Sequence, residues 1–127
     1  MTGEAEPNPW ADIIGPCYTV TSMALALGWT ENEVIEAGDQ LRLLMLHTDD
    51  DVLLLPSFQL LDGKVVEGLA EVLRILQTGI SDSWTWAQWL NTELPDEDPP
   101  RNIQYLYDGR LDEAFRDARH DAWAWRS

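Results

Sequence analysis

This 127-residue chain has little of three things: cysteine, positive charge and long apolar runs. Its single cysteine, Cys17, cannot form a disulfide within the chain, which predicts a cytoplasmic protein with Cys17 as a small buried side chain. No apolar run approaches the ~20 residues of a membrane-spanning helix. The acidic N-terminus also lacks the basic and apolar regions of a signal peptide. We therefore expect a cytoplasmic protein without a membrane anchor.

Positive charge is scarce: 8 basic residues stand against 23 acidic ones, so the net charge is −15. Such a field repels phosphate backbones and favours basic partner surfaces. No Lys or Arg precedes Arg42, whereas residues 30–39 contain four carboxylates. Because a DNA-reading helix must lie against phosphates, this pattern predicts no sequence-specific DNA binding by the chain alone. Seven of the eight basic residues are Arg, which is typical of a GC-rich bacterial or phage genome.

Catalytic motifs are missing as well. The chain has no P-loop, no glycine-rich dinucleotide fingerprint, no His-Glu-x-x-His and no Cys-x-x-Cys. Ser57 lacks the glycines of a nucleophile elbow. The acidic runs 49–51 and 96–98 could attract a cation, but neither has the spaced ligands and glycine of an EF-hand loop, so both are typical of solvated turns. The prediction is a protein that is not an enzyme and that holds neither a metal nor a cofactor.

The pattern of apolar residues, glycines and caps predicts a mainly α fold with one small β-hairpin. A helix that ends at Gly28 and a second one capped by Thr30 form a helix-turn-helix outline. Two apolar runs, 41–47 and 52–59, flank the acidic tip 48–51 and predict the hairpin. This part of the chain, 13–61, follows a flexible acidic tail at residues 1–12.

Residues 62–127 are predicted to form a helical region that opens with the Asp62-Gly63 turn. Its first helix carries an apolar stripe that includes Leu73. The second is capped by Ser81 or Ser83 and places Trp86 and Trp89 in the core. A short third helix opens at Pro99 or Pro100, after an acidic, proline-rich loop. The last helix begins at about Arg110, which makes four helices in all.

Parts of the chain resemble a known family. The segments are Ser57-Phe-Gln-Leu60, the stripe Leu69 to Leu73, and Trp84-Thr-Trp-Ala-Gln-Trp-Leu90. Over roughly residues 53–115 they resemble the toxin-binding domain of Xre/ParS-type antitoxins, the partners of RES-type toxins. The family's Asn-Pro loop and Thr-Pro-x-Asp helix are not reproduced here. The resemblance implies a degenerate helix-turn-helix-like N-terminal part packed on a four-helix toxin-binding-like bundle.

The same resemblance implies a function, that of an antitoxin-type inhibitor which binds and occludes an NAD-consuming RES-type toxin. In such antitoxins the C-terminal segment enters the toxin's NAD-binding cleft, which implies partner binding by Arg119, Trp123, Trp125 and Arg126. Residues two apart on a helix diverge, so one core can hardly absorb both tryptophans. They either cover the edge of the domain or anchor the partner.

A second function stays open at this point. An acidic DNA mimic, or a phage-type inhibitor of a nucleic-acid-binding protein, would account better for the net charge of −15. It would account less well for the ordered motifs of the second half. Whether the chain forms a homodimer is also open.

Overall fold

The computed structural model describes residues 13–126. Within that range the fold is mainly α with a small β part, as the sequence predicted. No helix of these residues is long and apolar enough to cross a membrane. The elements are β1 (Cys17–Tyr18), α1 (Val20–Leu27), α2 (Glu31–Asp39), β2 (Leu46–His47), β3 (Leu53–Pro56), β4 (Leu60–Leu61), β5 (Lys64–Val65), α3 (Leu69–Gln77), α4 (Ser83–Asn91), α5 (Ile103–Tyr107) and α6 (Leu111–Arg126).

Helices α1 and α2 form the predicted helix-turn-helix outline, and their ends follow the sequence signals. Gly28 ends α1 in the left-handed conformation, with φ of 74°, and its N–H donates to the Ala24 carbonyl. The Thr30 hydroxyl accepts from the N–H of Glu33 at 3.1 Å, and the Glu33 carboxylate accepts from the N–H of Thr30 at 2.8 Å. This reciprocal pair is the predicted capping box.

Strands β2 and β3 form the predicted hairpin, with Leu46 opposite Leu54. A strand that the sequence did not predict, β1, adds to the other edge of β3 and pairs Cys17 with Pro56. Cys17 is exposed, so the prediction that it is a small buried side chain is wrong. Partial desolvation still raises the pKa of its thiol, which favours the protonated, unreactive form at neutral pH. Strands β4 and β5 form a second small hairpin around the predicted turn at 62–63.

Two hydrophobic cores meet at the segment 43–46. Leu43 and Met45 enter the core formed by α1, α2 and β3, while the two alternate residues enter the core formed by α3 to α6. Buried Gln59 holds this segment in place. Its side-chain amide donates to the Leu44 carbonyl at 2.9 Å, and its side-chain oxygen accepts from the Leu44 N–H at 2.8 Å. The two halves of the molecule therefore share one stretch of backbone.

The longest helix, α6, packs closely against α3. Its inner face carries the buried residues Ala114, Ala118 and Ala122. At the end of α3 the approach is closest, because a β-carbon on Gly79 would lie 2.5 Å from the Ala122 carbonyl oxygen. Small residues on both sides allow this contact. They fix which face of α6 points outward.

The three tryptophans of α4 tie this helix to three different neighbours. Trp84, Trp86 and Trp89 each donate the indole N–H to another part of the chain. The Trp84 indole donates to the His47 carbonyl at 3.0 Å, and the Trp86 indole donates to the Ile80 carbonyl at 2.8 Å. The Trp89 indole donates to the Asp121 carboxylate at 2.6 Å. Trp86 is buried as predicted, whereas Trp89 is half-buried and packs against the same core from its edge.

Two predicted helix starts also differ. Asp82, rather than a serine, caps α4, because its carboxylate accepts from the Trp84 N–H at 3.2 Å and from the Thr85 hydroxyl at 2.8 Å. Helix α5 begins at Ile103, three residues after Pro100, the last proline of the acidic loop. Neither Pro99 nor Pro100 therefore occupies its first turn.

Candidate functional site

The four residues that the resemblance points to lie in the last two turns of α6. At 3.6 residues per turn, Arg119, Trp123 and Arg126 project within about 60° of one another, and all three are exposed. Trp123 exposes 60% of its surface. Trp125 projects away from them. The structure therefore brings three of the predicted residues together and separates the fourth.

Two more exposed residues extend the same face toward the start of the helix. They are Asp112 and Arg116, which the sequence analysis missed although their spacing from Arg119 places them on one helical face. We call this set the α6 stripe: Asp112, Arg116, Arg119, Trp123 and Arg126. Its members recur at intervals of four, three, four and three residues. The buried alanines lie about 120° around the helix from the stripe.

The arginines of the α6 stripe are weakly neutralised by the described part of the chain. Arg119 and Arg126 form no ion pair with any residue from 13 to 126. Arg116 has one long contact, at 3.7 Å from its Nε to the Asp117 carboxylate. Such exposed pairs contribute little. The guanidinium groups of the stripe can therefore bind external carboxylates.

Arg110, just before α6, behaves differently. Its guanidinium donates to both oxygens of Glu113 at 2.7 and 2.6 Å and lies 5.1 Å from the ring centre of Tyr105. The hydrogen bonds to Glu113 raise the pKa of Arg110 and lower the pKa of Glu113. This arginine is engaged within the protein and is not part of the stripe.

A cleft of about 300 Å³ lies beside the α6 stripe, where α6 meets the end of α3. Arg119 and Arg126 line one side, and Ile75 and Thr78 line the other. The Thr78 hydroxyl donates to the Ile75 carbonyl at 2.6 Å, so its oxygen can accept but its proton is engaged. The lining combines two cations with an apolar side chain.

Trp125 belongs to a second cleft, of about 320 Å³, on the other side of α6. There it lies with Trp89 and Asp121, and it packs against the core formed by α3 to α6. The sequence left two alternatives for Trp125, covering the edge of the domain or anchoring the partner. Its position favours the first, because it covers the edge of the domain. The Asp121 carboxylate is engaged by the Trp89 N–H.

A second charged surface is acidic and is formed by α2 and the tip of the β2–β3 hairpin. Within the described range one ion pair involves these groups, at 3.9 Å between Glu36 and Arg42. No group of three or more His, Cys, Asp or Glu side chains in residues 13–126 is placed to hold a metal ion. We call the exposed carboxylates of α2 and of the hairpin tip the acidic face. They are Glu31, Glu33, Glu36, Asp39, Asp49, Asp50 and Asp51.

A third cleft, of about 440 Å³, lies where the hairpin meets the start of α4. Its lining includes His47, Asp49, Asp82 and Trp84. The Asp82 carboxylate already serves as the cap of α4, and the indole N–H of Trp84 donates to the His47 carbonyl. The polar groups here hold α4 against the hairpin.

Comparison with known proteins adds one match. Neither a protein-family model nor a curated protein matches the sequence. Among solved structures, an NMR structure of Rv2175c matches with a TM-score of 0.69 at 22% identity, covering 96% of this chain and 88% of that one. This likeness shows the fold alone. The resemblance to Xre/ParS-type antitoxins stays a prediction.

Proposed function

We propose that this chain is an antitoxin-type inhibitor that binds a protein partner through the outer face of α6. The observation that carries the proposal is the α6 stripe, which places Arg119, Trp123 and Arg126 together on one exposed helix face. Trp and Arg are the residue types that most often dominate the energy of protein interfaces. The sequence resemblance supplies the partner class, a RES-type toxin whose NAD-binding cleft the helix would cover.

Inhibition of NAD consumption by a RES-type toxin encoded beside the gene tests this directly. Trp123→Ala should weaken binding by about 30-fold or more, because losing an interface Trp commonly costs ~2 kcal/mol. The matched control is Leu25→Ala, since Leu25 is an apolar residue that is 80% exposed on α1. Full inhibition by Trp123→Ala, or the absence of any inhibition by the wild-type protein, would refute the proposal.

Point substitutions on the stripe are sharper than deletion of the helix end. Removing residues 119–127 would also remove buried Ala122 and the Asp121 carboxylate that binds Trp89. Lost affinity could then reflect a loosened domain. Trp123→Ala leaves these inner contacts in place.

The acidic face favours a second candidate function, that of a nucleic-acid mimic. Its carboxylates extend from α2 to the hairpin tip, and only Glu36 has a cation within 4 Å among the described residues. A partner with a basic, nucleic-acid-binding surface would be held by many such groups, so its affinity would fall steeply with salt. Replacing Glu31, Glu33, Glu36 and Asp39 by Gln should abolish binding to such a partner and leave α6-dependent inhibition intact. Loss of binding to such a partner in this variant, with normal binding by Trp123→Ala, would favour the mimic.

A further inference from the structure

The spacing of the α6 stripe indicates what kind of structure can cover it. Intervals of four and three residues are those of the apolar seam in a coiled coil, where a second helix lies alongside the first. From Asp112 to Arg126 the stripe spans 14 intervals, or about 21 Å at 1.5 Å per residue. A straight helix of about four turns can therefore contact all of it at once.

The chemistry of the stripe then sets the chemistry of that helix. Arg116, Arg119 and Arg126 require carboxylates opposite them, and Trp123 offers an exposed apolar surface. The cleft beside Arg119 and Arg126 adds an apolar wall at Ile75. A complementary helix thus carries acidic residues at alternating three- and four-residue spacing, with an apolar side chain between them.

We propose that the α6 stripe binds an acidic amphipathic helix of the partner protein, which lies along α6 and inserts an apolar side chain into the cleft beside Ile75. The inference rests on the proposed function, because it takes α6 as the contact surface and adds the identity of what contacts it. It also differs from what the net charge of the chain would predict. A chain with a charge of −15 would be expected to seek a basic partner, but this surface selects an acidic one.

A second copy of this chain fits the stripe poorly. In an antiparallel α6–α6 pair centred on the stripe, Arg119 would meet its own copy, which places two like charges against each other at the centre of the contact. Phosphate groups could also match three arginines, but a phosphate backbone has no apolar side chain to insert into the cleft beside Ile75. Both occupants are outcomes of the test below.

The test uses a synthetic helical peptide of about 18 residues, long enough to hold a helix on an alanine background. Glutamates and leucines occupy one face at alternating three- and four-residue spacing. Titrated into the 15N-labelled full-length protein, it should cause saturable NMR shifts on the outer face of α6 and at the end of α3. A scrambled peptide of the same composition should bind at least ten times more weakly.

Charge reversal on the protein provides the decisive variant. Arg119→Glu with Arg126→Glu should weaken peptide binding at least tenfold. The matched control, Lys64→Glu with Arg101→Glu, changes the net charge equally at two exposed sites off the stripe and should alter affinity less than twofold.

Several outcomes would overturn the inference. These are equal binding by the scrambled peptide, equal weakening by both double variants, shifts away from α6, or no saturable binding at millimolar peptide. A concentration-dependent dimer by sedimentation, lost in Arg119→Glu with Arg126→Glu, would assign the stripe to a second copy. Tighter binding of a single-stranded oligonucleotide than of the peptide would assign it to a nucleic acid.

The peptide result is independent of the toxin assay. Peptide docking without inhibition of a RES-type toxin would leave the inference standing and refute the proposed function. Inhibition that depends on Trp123 but not on Arg119 and Arg126 would support the proposed function and refute the inference of an acidic helix.

Discussion

The outer faces of α2 and α6 are both exposed helix surfaces, but they carry opposite charges. On α2, Glu31, Glu33, Glu36 and Asp39 face solvent with no cation before Arg42 in the sequence. On α6, the stripe presents three arginines around Trp123, and six of the eight basic residues of the chain occur from Arg74 onward. The cations of the chain are therefore concentrated in its C-terminal region.

This difference shows why net charge is a poor guide to a partner. A value of −15 describes the field at long range, which salt screens beyond about 8–10 Å. A contact is decided by the groups that are desolvated within it. The acidic face can attract a basic surface, while the α6 stripe requires an acidic one. The two faces can thus serve different partners or different parts of one partner.

The largest expected effect separates the inside of the C-terminal region from its surface. Trp86→Ala should lower the free energy of unfolding by ~3–5 kcal/mol, because it removes a buried indole from the core of α3 to α6. Trp123→Ala should lower it by less than half as much, because 60% of the Trp123 surface is exposed. Urea denaturation of both variants measures the contrast. A comparable loss from Trp123→Ala would mean that the stripe is part of the core.

The next effect tests whether the two regions unfold as one unit. Gln59→Leu leaves the N–H and carbonyl of Leu44 and the carbonyl of Pro56 without their side-chain partner. With about 1–3 kcal/mol per unsatisfied buried group and partial relaxation, the cost should be ~2–4 kcal/mol.

Segment 43–46 contributes side chains to both cores. The unfolding transitions followed by tryptophan fluorescence and by circular dichroism should therefore shift together in Gln59→Leu. Gln77→Leu, at an exposed position of α3, is the matched control and should change little. Two separate transitions in Gln59→Leu, with only one of them shifted, would contradict the shared-segment description.

Much of the fold could be predicted because it depends on local signals. The capping box at Thr30, the stop at Gly28 and the Asp62-Gly63 turn each act within a few residues, so the sequence displays them directly. The hairpin was predictable for the same reason. Pairing β1 with β3 was not, since Cys17 and Pro56 lie 39 residues apart and two residues of strand carry no periodicity.

The candidate site could be predicted only in part. Helical spacing alone groups Arg119, Trp123 and Arg126 and separates Trp125, and it would have added Arg116. What spacing cannot give is which side of α6 faces inward, because Ala114, Ala118 and Ala122 carry a weak hydrophobic signal. That side is decided by close packing against Gly79, a contact between distant parts of the chain.

A smaller effect is expected when the charge of α2 is changed. At physiological salt the wild-type protein should show no sequence-specific binding to its own promoter, because its helix-turn-helix presents carboxylates to phosphates. A variant in which Lys replaces all four carboxylates of α2, Glu31, Glu33, Glu36 and Asp39, should bind duplex DNA at least tenfold more strongly than the wild type. This binding should depend steeply on salt. Fluorescence anisotropy measures both proteins. A competitor-resistant complex with the wild type would show that the acidic face does not prevent DNA recognition.

The smallest effect concerns one hydrogen bond between the regions, from the Tyr107 hydroxyl to the Phe58 carbonyl at 2.6 Å. Desolvation raises the pKa of Tyr107, although nearby Arg101 opposes this. The neutral phenol is therefore favoured in the folded state. Its contribution is present below the unfolded pKa, about 10, and is lost as the pH rises through the higher folded value. Tyr107→Phe should cost ~1 kcal/mol at pH 8.

The difference in unfolding free energy between wild type and Tyr107→Phe should thus shrink as the pH rises above about 10. Urea denaturation from pH 8 to pH 11 follows it, and Tyr18→Phe serves as a control that should cost less at pH 8. A difference that grows with pH would reverse the sign of the linkage. It would mean that the tyrosinate is stabilised in the folded protein, and that Arg101 outweighs desolvation where α5 meets the N-terminal region.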